Sequence, residues 1–476
     1  MTSLTLIKPK SLVSAAQLVA PVFDGPLTIT DALIASRGSN VFEGNWENTS
    51  YTADNGAAVY VQTTQPVIIQ NSRFKAQRYC ISSVNSGTNV TVRNCVGLVR
   101  NLTYAGQPAQ RFLNLGEPAS VVCENNTMIG GGILLSGGTT PLVRIRYNRM
   151  LNIDGRLSDG ANGYVFELAN TANVYFQAKQ FVQLNATRGV SDGDISWNEV
   201  VNDPFVSRPE DNINLYGCAG VPGSPIKIHD NAIFGGWSTR PFDLASYSGG
   251  GIICDKGTAT DWTDGATNAT AWIDIDDNQV VGLVQHGISA PYANNVNARR
   301  NRIICPNKLE GRTILAANVG AYVGGSLRAS VNGYTYNVLW DDNTIGCVNA
   351  AGAQNNSSIS GINSSGVASA SGGTKTRITL THGLTAGENG KLLPVWSGTN
   401  WTRGEYALTY VDATHLDVDV PWNAGFGNPV IRSLTVDITN TTSVPFPTEY
   451  DAYAERAIWQ AKVLAAGVTI GSSLAP

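Results

Sequence analysis

The segment Gly193-Asp194-Ile195-Ser196-Trp197-Asn198-Glu199-Val200-Val201 centres on an Asn with an apolar residue three places before it (Ile195) and another two places after it (Val200). The same pattern recurs at Asn126 (Cys123, Met128), Asn148 (Ile145, Met150), Asn231 (Ile228, Ile233), Asn278 (Ile275, Val280), Asn301 (Ala298, Ile303) and Asn343 (Trp340, Ile345), and in part at Asn94 (Val96). From Asn94 onward, successive Asn residues lie 32, 22, 50, 33, 47, 23 and 42 positions apart. Intervals near 22 read as one turn of a repeating structure, those of about 45–50 as two, and those near 32 as one turn with a loop. A unit of about 22 residues is too short for a propeller blade of about 40–45. It suits one coil of a right-handed parallel β-helix, whose coils stack at ~4.8 Å and share one long core because none can bury its inner face alone. The Asn is expected to take left-handed geometry at a corner and to bond its neighbours above and below as a ladder.

A second series marks another strand of each coil: Phe112–Leu115, Ile133–Leu135, Val165–Leu168, Ile213–Tyr216, Ile252–Asp255, Ile288–Ala290 and Ile314–Ala316. The fold class that follows is all-β, a right-handed parallel β-helix with a small C-terminal β-domain and a terminal helix. Residues 1–50 read as an N-terminal cap with a short helix at Ser14–Ala20, and 51–365 as the coils. The Ser/Gly/Ala/Asn-rich stretch after Ala350 reads as a linker. Period-two alternation over 374–432 reads as a small β-module. In 433–476 a last strand rejoins the coils, and a helix from Asp451 to Ala466 stops at Gly467, closing the C-terminal end or joining subunits.

Composition narrows the function classes. The 476 residues include 50 Gly and only 3 Met, with 14% charged and 42% apolar residues and a net charge of −4. That is too few charges for a coiled coil and too much apolar content for a disordered chain. No apolar run is long enough to span a membrane, and the charge is wrong for a general nucleic-acid binder. The seven cysteines form no CxxC and no zinc spacing, so they read as small apolar core residues. No signal peptide is visible at Met1–Lys10.

The coil text around Asn198, the segment Thr381-His382-Gly383-Leu384 with Tyr410-Val411-Asp412-Ala413-Thr414-His415-Leu416, and the terminal Glu455–Thr469 together resemble right-handed β-helix proteins of the phage tailspike and exopolysaccharide depolymerase type. The resemblance implies a pectate-lyase-like solenoid and an endo-acting depolymerase of bacterial capsule or exopolysaccharide. It further implies a homotrimer associated with phage tail proteins, virion-borne or released by lysis. Two better-defined relatives fit poorly. Asp276-Asp277 and His286-Gly287 match only two pieces of the polygalacturonase motif set, and the arginine motif of pectate lyase is missing. No catalytic residue is therefore carried over.

Chemistry on a polysaccharide needs outward groups on neighbouring coils. Two carboxyls ~5–5.5 Å apart would hydrolyse with retention and ~6.5–9.5 Å apart with inversion. β-Elimination would instead need a base and a cation. The stretch 203–292 is richest in such groups. Glu210, Asp211, Asp243, Asp255 and His286 are the catalytic candidates; Asp211 and His286 each fall just before a second-series strand. Arg208, Tyr216, Trp237, Arg240, Tyr247, Lys256 and Tyr292 are candidates for holding sugar, and Glu167 marks a further patch one or two coils earlier. Acids outnumber bases, which favours a glycoside hydrolase. A polysaccharide lyase with His286 or a Tyr as base and Arg240 or Lys256 neutralising the uronate is the alternative, and a non-catalytic glycan-binding tail protein the third. No cofactor or metal is called for, although outward Asp side chains would accept Ca²⁺.

Overall fold

Alternation within short strands builds the molecule. In Leu142–Arg146, Val143 and Ile145 are buried while Leu142, Arg144 and Arg146 are partly exposed. One face of each strand therefore needs cover, which the opposite wall of the same turn supplies. The computed structural model describes residues 22–474 apart from 170, 244–248, 257–267, 316–318, 325–334, 361–363, 381, 383, 385, 432–433 and 446–448. The fold is all-β, with long parallel sheets.

A typical turn contributes three strands. Ile133–Ser136, Leu142–Arg146 and Arg149–Leu151 pair in parallel with Val182–Asn185, Asp192–Ser196 and Glu199–Val201 of the next turn. The first strands form an eleven-stranded sheet, here the front sheet; the second and third form a twenty-stranded sheet bent at the Asn corner. Their inward side chains make three columns. Val59, Ile81, Leu113, Ile133, Val182, Ile213, Ile252 and Ile288 line the front wall, all fully buried. Val92, Cys123, Ile145, Ile195, Ile228 and Ile275 form the second column and Met128, Met150, Val200, Ile233, Val280 and Ile303 the third. Each such side chain contributes roughly 1.5–3 kcal/mol of burial. All seven cysteines are free and buried, as small core residues.

The ladder forms, with two differences from expectation. Asn126, Asn148, Asn198, Asn231, Asn278, Asn301 and Asn343 are linked in that order, each amide nitrogen donating to the next amide oxygen at 2.8–3.0 Å. Left-handed backbone belongs to the residue before each of them, for example Tyr147, Trp197, Asp230 and Asp277. The Asn side chain then turns inward to satisfy corner amides, as when Asn198 Oδ1 accepts from the Asn148 backbone at 3.0 Å. Asn94 is itself the left-handed residue, and Cys95 takes the ladder position beneath Asn126. The intervals of 50 and 47 residues are single turns, because Asn148 bonds Asn198 and Asn231 bonds Asn278 directly. The surplus residues are long loops, and Val165–Leu168 lies in one of them with Phe166 and Leu168 exposed. The front strand of that turn is Val182–Asn185.

The first turn begins at Leu27, which pairs with Val59, well before the residue-51 boundary. A short helix, Asp31–Arg37, capped by Thr30 and by left-handed Gly38, follows its first strand. The helix expected at Ser14–Ala20 lies outside the described residues. Seven antiparallel strands between Ser364 and Ile431 form a separate sheet around Ile378, Leu393, Val395, Leu408 and Leu416. Val436–Ser443 then returns to pair with Tyr336–Cys347.

The helix Ala452–Ala466, capped by Asp451 and Gly467, does not close the end of the stack. It lies along the outer face of the third strands, burying Trp459 against Ala232, Phe234, Val281 and Ile304. Glu455 is ion-paired to Arg302 at 2.6 Å and Arg456 to Glu199 at 2.6 Å. The chain after it runs back to earlier turns, where Gly471 donates to the Tyr147 carbonyl and Ser473 to Asn94.

Candidate active site

The front sheet presents its outer side chains in rows set by register. Asp211 stands opposite Gly250. Ile252 stands opposite Ile288, which puts Gly250 opposite His286. Asp211 and His286 are thus two rungs apart, ~10 Å along the stack at ~4.8 Å per rung. Their side chains nevertheless approach to 3.4 Å between Oδ1 and Nε2. They meet over Gly250, where an added Cβ would lie 2.2 Å from Asp211 Oδ1 and 2.5 Å from His286 Cε1.

Asn212 pins the start of this strand. Its buried side chain accepts from Asn202 and donates to the Gly250 carbonyl, both at 2.8 Å. Asp211 then points into a cleft of about 340 Å³, lined also by Arg111, Gln180, Glu210, Asn214, Tyr216, Asp255 and His286. The second oxygen of Asp211 accepts from Asn214 at 3.0 Å, and His286 Nδ1 is buried with no partner among the described residues. Glu210 accepts from the Gln180 amide at 2.6 Å, while Gln180 accepts from Arg111 at 2.7 Å. The Glu210 carboxyl is pushed up to about 7, first by burial and then by the charge of Asp211, against the pull of Gln180, Arg111 and Arg208. Burial beside another carboxyl is the setting that keeps an acid available as a proton donor.

Five of the sequence candidates meet here: Glu210, Asp211, His286, Tyr216 and Asp255. Asp255 faces Tyr216, five residues along its strand from Gly250, so it stands roughly 16 Å from the Asp211 end at ~3.3 Å per residue. It belongs to the far end of the cleft and is not the second carboxylate of an Asp211 pair.

The others fall elsewhere. Arg208 is fully buried, bound to Glu167 at 2.8 Å and stacked 3.6 Å over Phe176. Trp237 is fully buried, donating to the Asn202 carbonyl and packed on Tyr450. Arg240 donates to the Glu167 carbonyl and faces exposed Asp243 at 3.8 Å. Arg208, Glu167, Trp237, Arg240 and Asp243 thus form the joint that packs the long loops together, and line no part of the cleft. Lys256 and Tyr292 are half-buried beside Asp255 without lining it. Tyr247 lies outside the described residues. Among the described residues no group of three His, Cys, Asp or Glu side chains is placed to hold a metal.

Arg111, Gln180 and Gly250 join the site without being among the sequence candidates. Arg111 lies two residues before the inward Leu113, the offset of Asp211 from Ile213 and of His286 from Ile288, so the sequence carries a signal for it. Comparison of the chain with protein families, with curated proteins and with solved structures finds no match. Among the described residues no helix is long and apolar enough to cross a membrane.

Proposed function

We propose that the chain is a right-handed parallel β-helix of the tailspike type and an endo-acting depolymerase of bacterial exopolysaccharide, cutting at the Asp211 end of the front-sheet cleft. The observation that carries this reading is the pairing of Glu210, whose carboxyl burial pushes up to about 7, with Asp211 in a cleft on the outer face. Glu210 donates its proton to the leaving glycosidic oxygen, and Asp211 supplies the second carboxyl group that hydrolysis requires. Asn214 and His286 hold Asp211 in place. Tyr216 and Asp255, farther along the cleft, contact the sugars that flank the cut. Homotrimeric assembly on a phage tail is the context the sequence resemblance supplies.

The test is the viscosity and reducing-end content of host exopolysaccharide treated with wild-type protein and with Asp211→Asn. Wild type should lower the viscosity early and release new reducing ends, and Asp211→Asn should do neither. No change with wild type on any host polymer would favour a protein that only binds glycan.

One observation favours elimination as the second reading. The His286 imidazole lines the cleft beside Asp211, and imidazole is the commonest side-chain base. Unsaturated uronide products, seen by ultraviolet absorbance, would move the assignment from hydrolase to lyase.

A further inference from the structure

Three cations from separate turns converge next to the Glu210 end of the cleft. Arg111 donates its backbone N–H to the Arg78 carbonyl at 3.0 Å, so the two residues adjoin on neighbouring turns. The Lys179 ammonium donates at 2.5 Å to Gln110, the residue before Arg111. Arg111 and Lys179 are 4% and 5% exposed. Among the described residues none of the three has a carboxylate at ion-pair distance. The guanidinium of Arg111 donates to the carbonyl and side-chain oxygens of Gln180. Arg78 lies over the Tyr51 and Tyr79 rings at 5.3 and 4.8 Å. The Nε atoms of Arg78 and Arg111 are buried with no partner.

We propose that Arg78, Arg111 and Lys179 form an anion subsite that takes the carboxylate of an acidic sugar, so that the polymer cut beside Glu210 carries uronate groups. The inference rests on the depolymerase reading and names its substrate class. Buried like charges repel one another in a medium of low dielectric, and an unpaired buried ion is costly. The tyrosine rings ease this for Arg78 but not for Lys179. The Lys179 ammonium is held well below its usual range by burial and then by Arg111 and Arg78, with Glu210 the opposing influence. A carboxylate entering from the cleft would reach the guanidinium of Arg111, which lines it, through charge-assisted bonds about twice as strong as neutral ones. A neutral hydroxyl offers no such compensation.

The experiment is isothermal titration of the full chain with glucuronate, with glucose as its neutral counterpart and with sulfate as a bare anion. Glucuronate should bind at least ~10-fold more tightly than glucose, through its charge-assisted bonds. In Arg78→Gln and Lys179→Met, checked for folding by circular dichroism, that preference should fall toward one. Equal affinity for glucose and glucuronate in wild type would overturn the inference, as would an undiminished preference in both variants. Sulfate binding as tightly as glucuronate would replace the sugar acid by a free inorganic anion and overturn the substrate assignment. The readout is binding, so it separates the two readings. A failed depolymerase reading shows as no cleavage of any host polymer by wild type, and a failed anion subsite as no discrimination between the two sugars.

Discussion

Gly250→Ala is the sharpest available perturbation of the site. Gly250 does not use left-handed backbone, so alanine brings no conformational strain of its own, and its methyl group would stand 2.2 Å from Asp211 Oδ1 and 2.5 and 2.7 Å from His286 ring atoms. Non-bonded carbons prefer roughly 3.5 Å, so each side chain must retreat by roughly 1 Å. A displacement of that size at a reacting group costs on the order of 10²-fold in rate, and the overpacking about 1–3 kcal/mol in stability. The assay is kcat/KM from reducing ends on the polymer that wild type cleaves, with circular dichroism and urea unfolding to show that the variant is folded. Gly116→Ala is the control: it ends a strand of the same sheet, and its Cβ would meet neighbours only at 3.5 Å, an ordinary contact. Combining Gly250→Ala with His286→Ala should cost more than His286→Ala alone, because the methyl group still displaces Asp211. A folded Gly250→Ala protein with wild-type kcat/KM would refute the reasoning, since the Asp211–His286 contact would then serve no chemical purpose.

Other outcomes follow from the same geometry. Activity that needs protonated Glu210 should fall as pH rises through about 7; because the folded value lies above the ordinary 4.5, stability should also decline as pH rises from 4.5 to about 7, and Glu210→Gln should remove that part of a urea–pH profile. His229 is pushed up to about 9: burial opposes its charge, but Asp194 and Asp230 outweigh it. Its stabilisation should be complete below 6.5 and disappear as pH passes about 9, a loss absent from His229→Gln. Asn198→Ala removes a side chain that bonds Asn148, Asn231 and the Ile145 carbonyl; leaving buried groups unpaired should cost about 2–4 kcal/mol, read as a lower urea midpoint at unchanged slope. Glu167→Gln removes the charge that pairs with the buried Arg208 guanidinium and should cost about 3–5 kcal/mol in stability while sparing kcat/KM of the folded fraction.

Repetition made the stacking legible, because each turn had to supply its own inward apolar residues around a corner Asn. Turn length was harder to read. A 50-residue interval containing one long loop looks like two turns when loop and strand are both apolar in places, as at Val165–Leu168. Asp211 and His286 stood out because each precedes a front strand. Gly250, between them, carries no chemistry of its own, and its meaning comes only from the register that sets three residues in a row. Arg208, Glu167 and Trp237 have the composition of a sugar-binding wall, but the long loops fold over them and use their charge and ring surface for packing. Residue type alone does not separate those two uses.

The central claim is that sugar binds and is cut at the Asp211 end of the front-sheet cleft. A structure of Glu210→Gln bound to an oligosaccharide of the host polymer tests it most directly. The account predicts a chain of sugars in the cleft, with a glycosidic oxygen within hydrogen-bond reach of residue 210 and a ring beside Tyr216. Sugar seated instead on the antiparallel module between Ser364 and Ile431, or on the bent twenty-stranded sheet with the cleft empty, would contradict it.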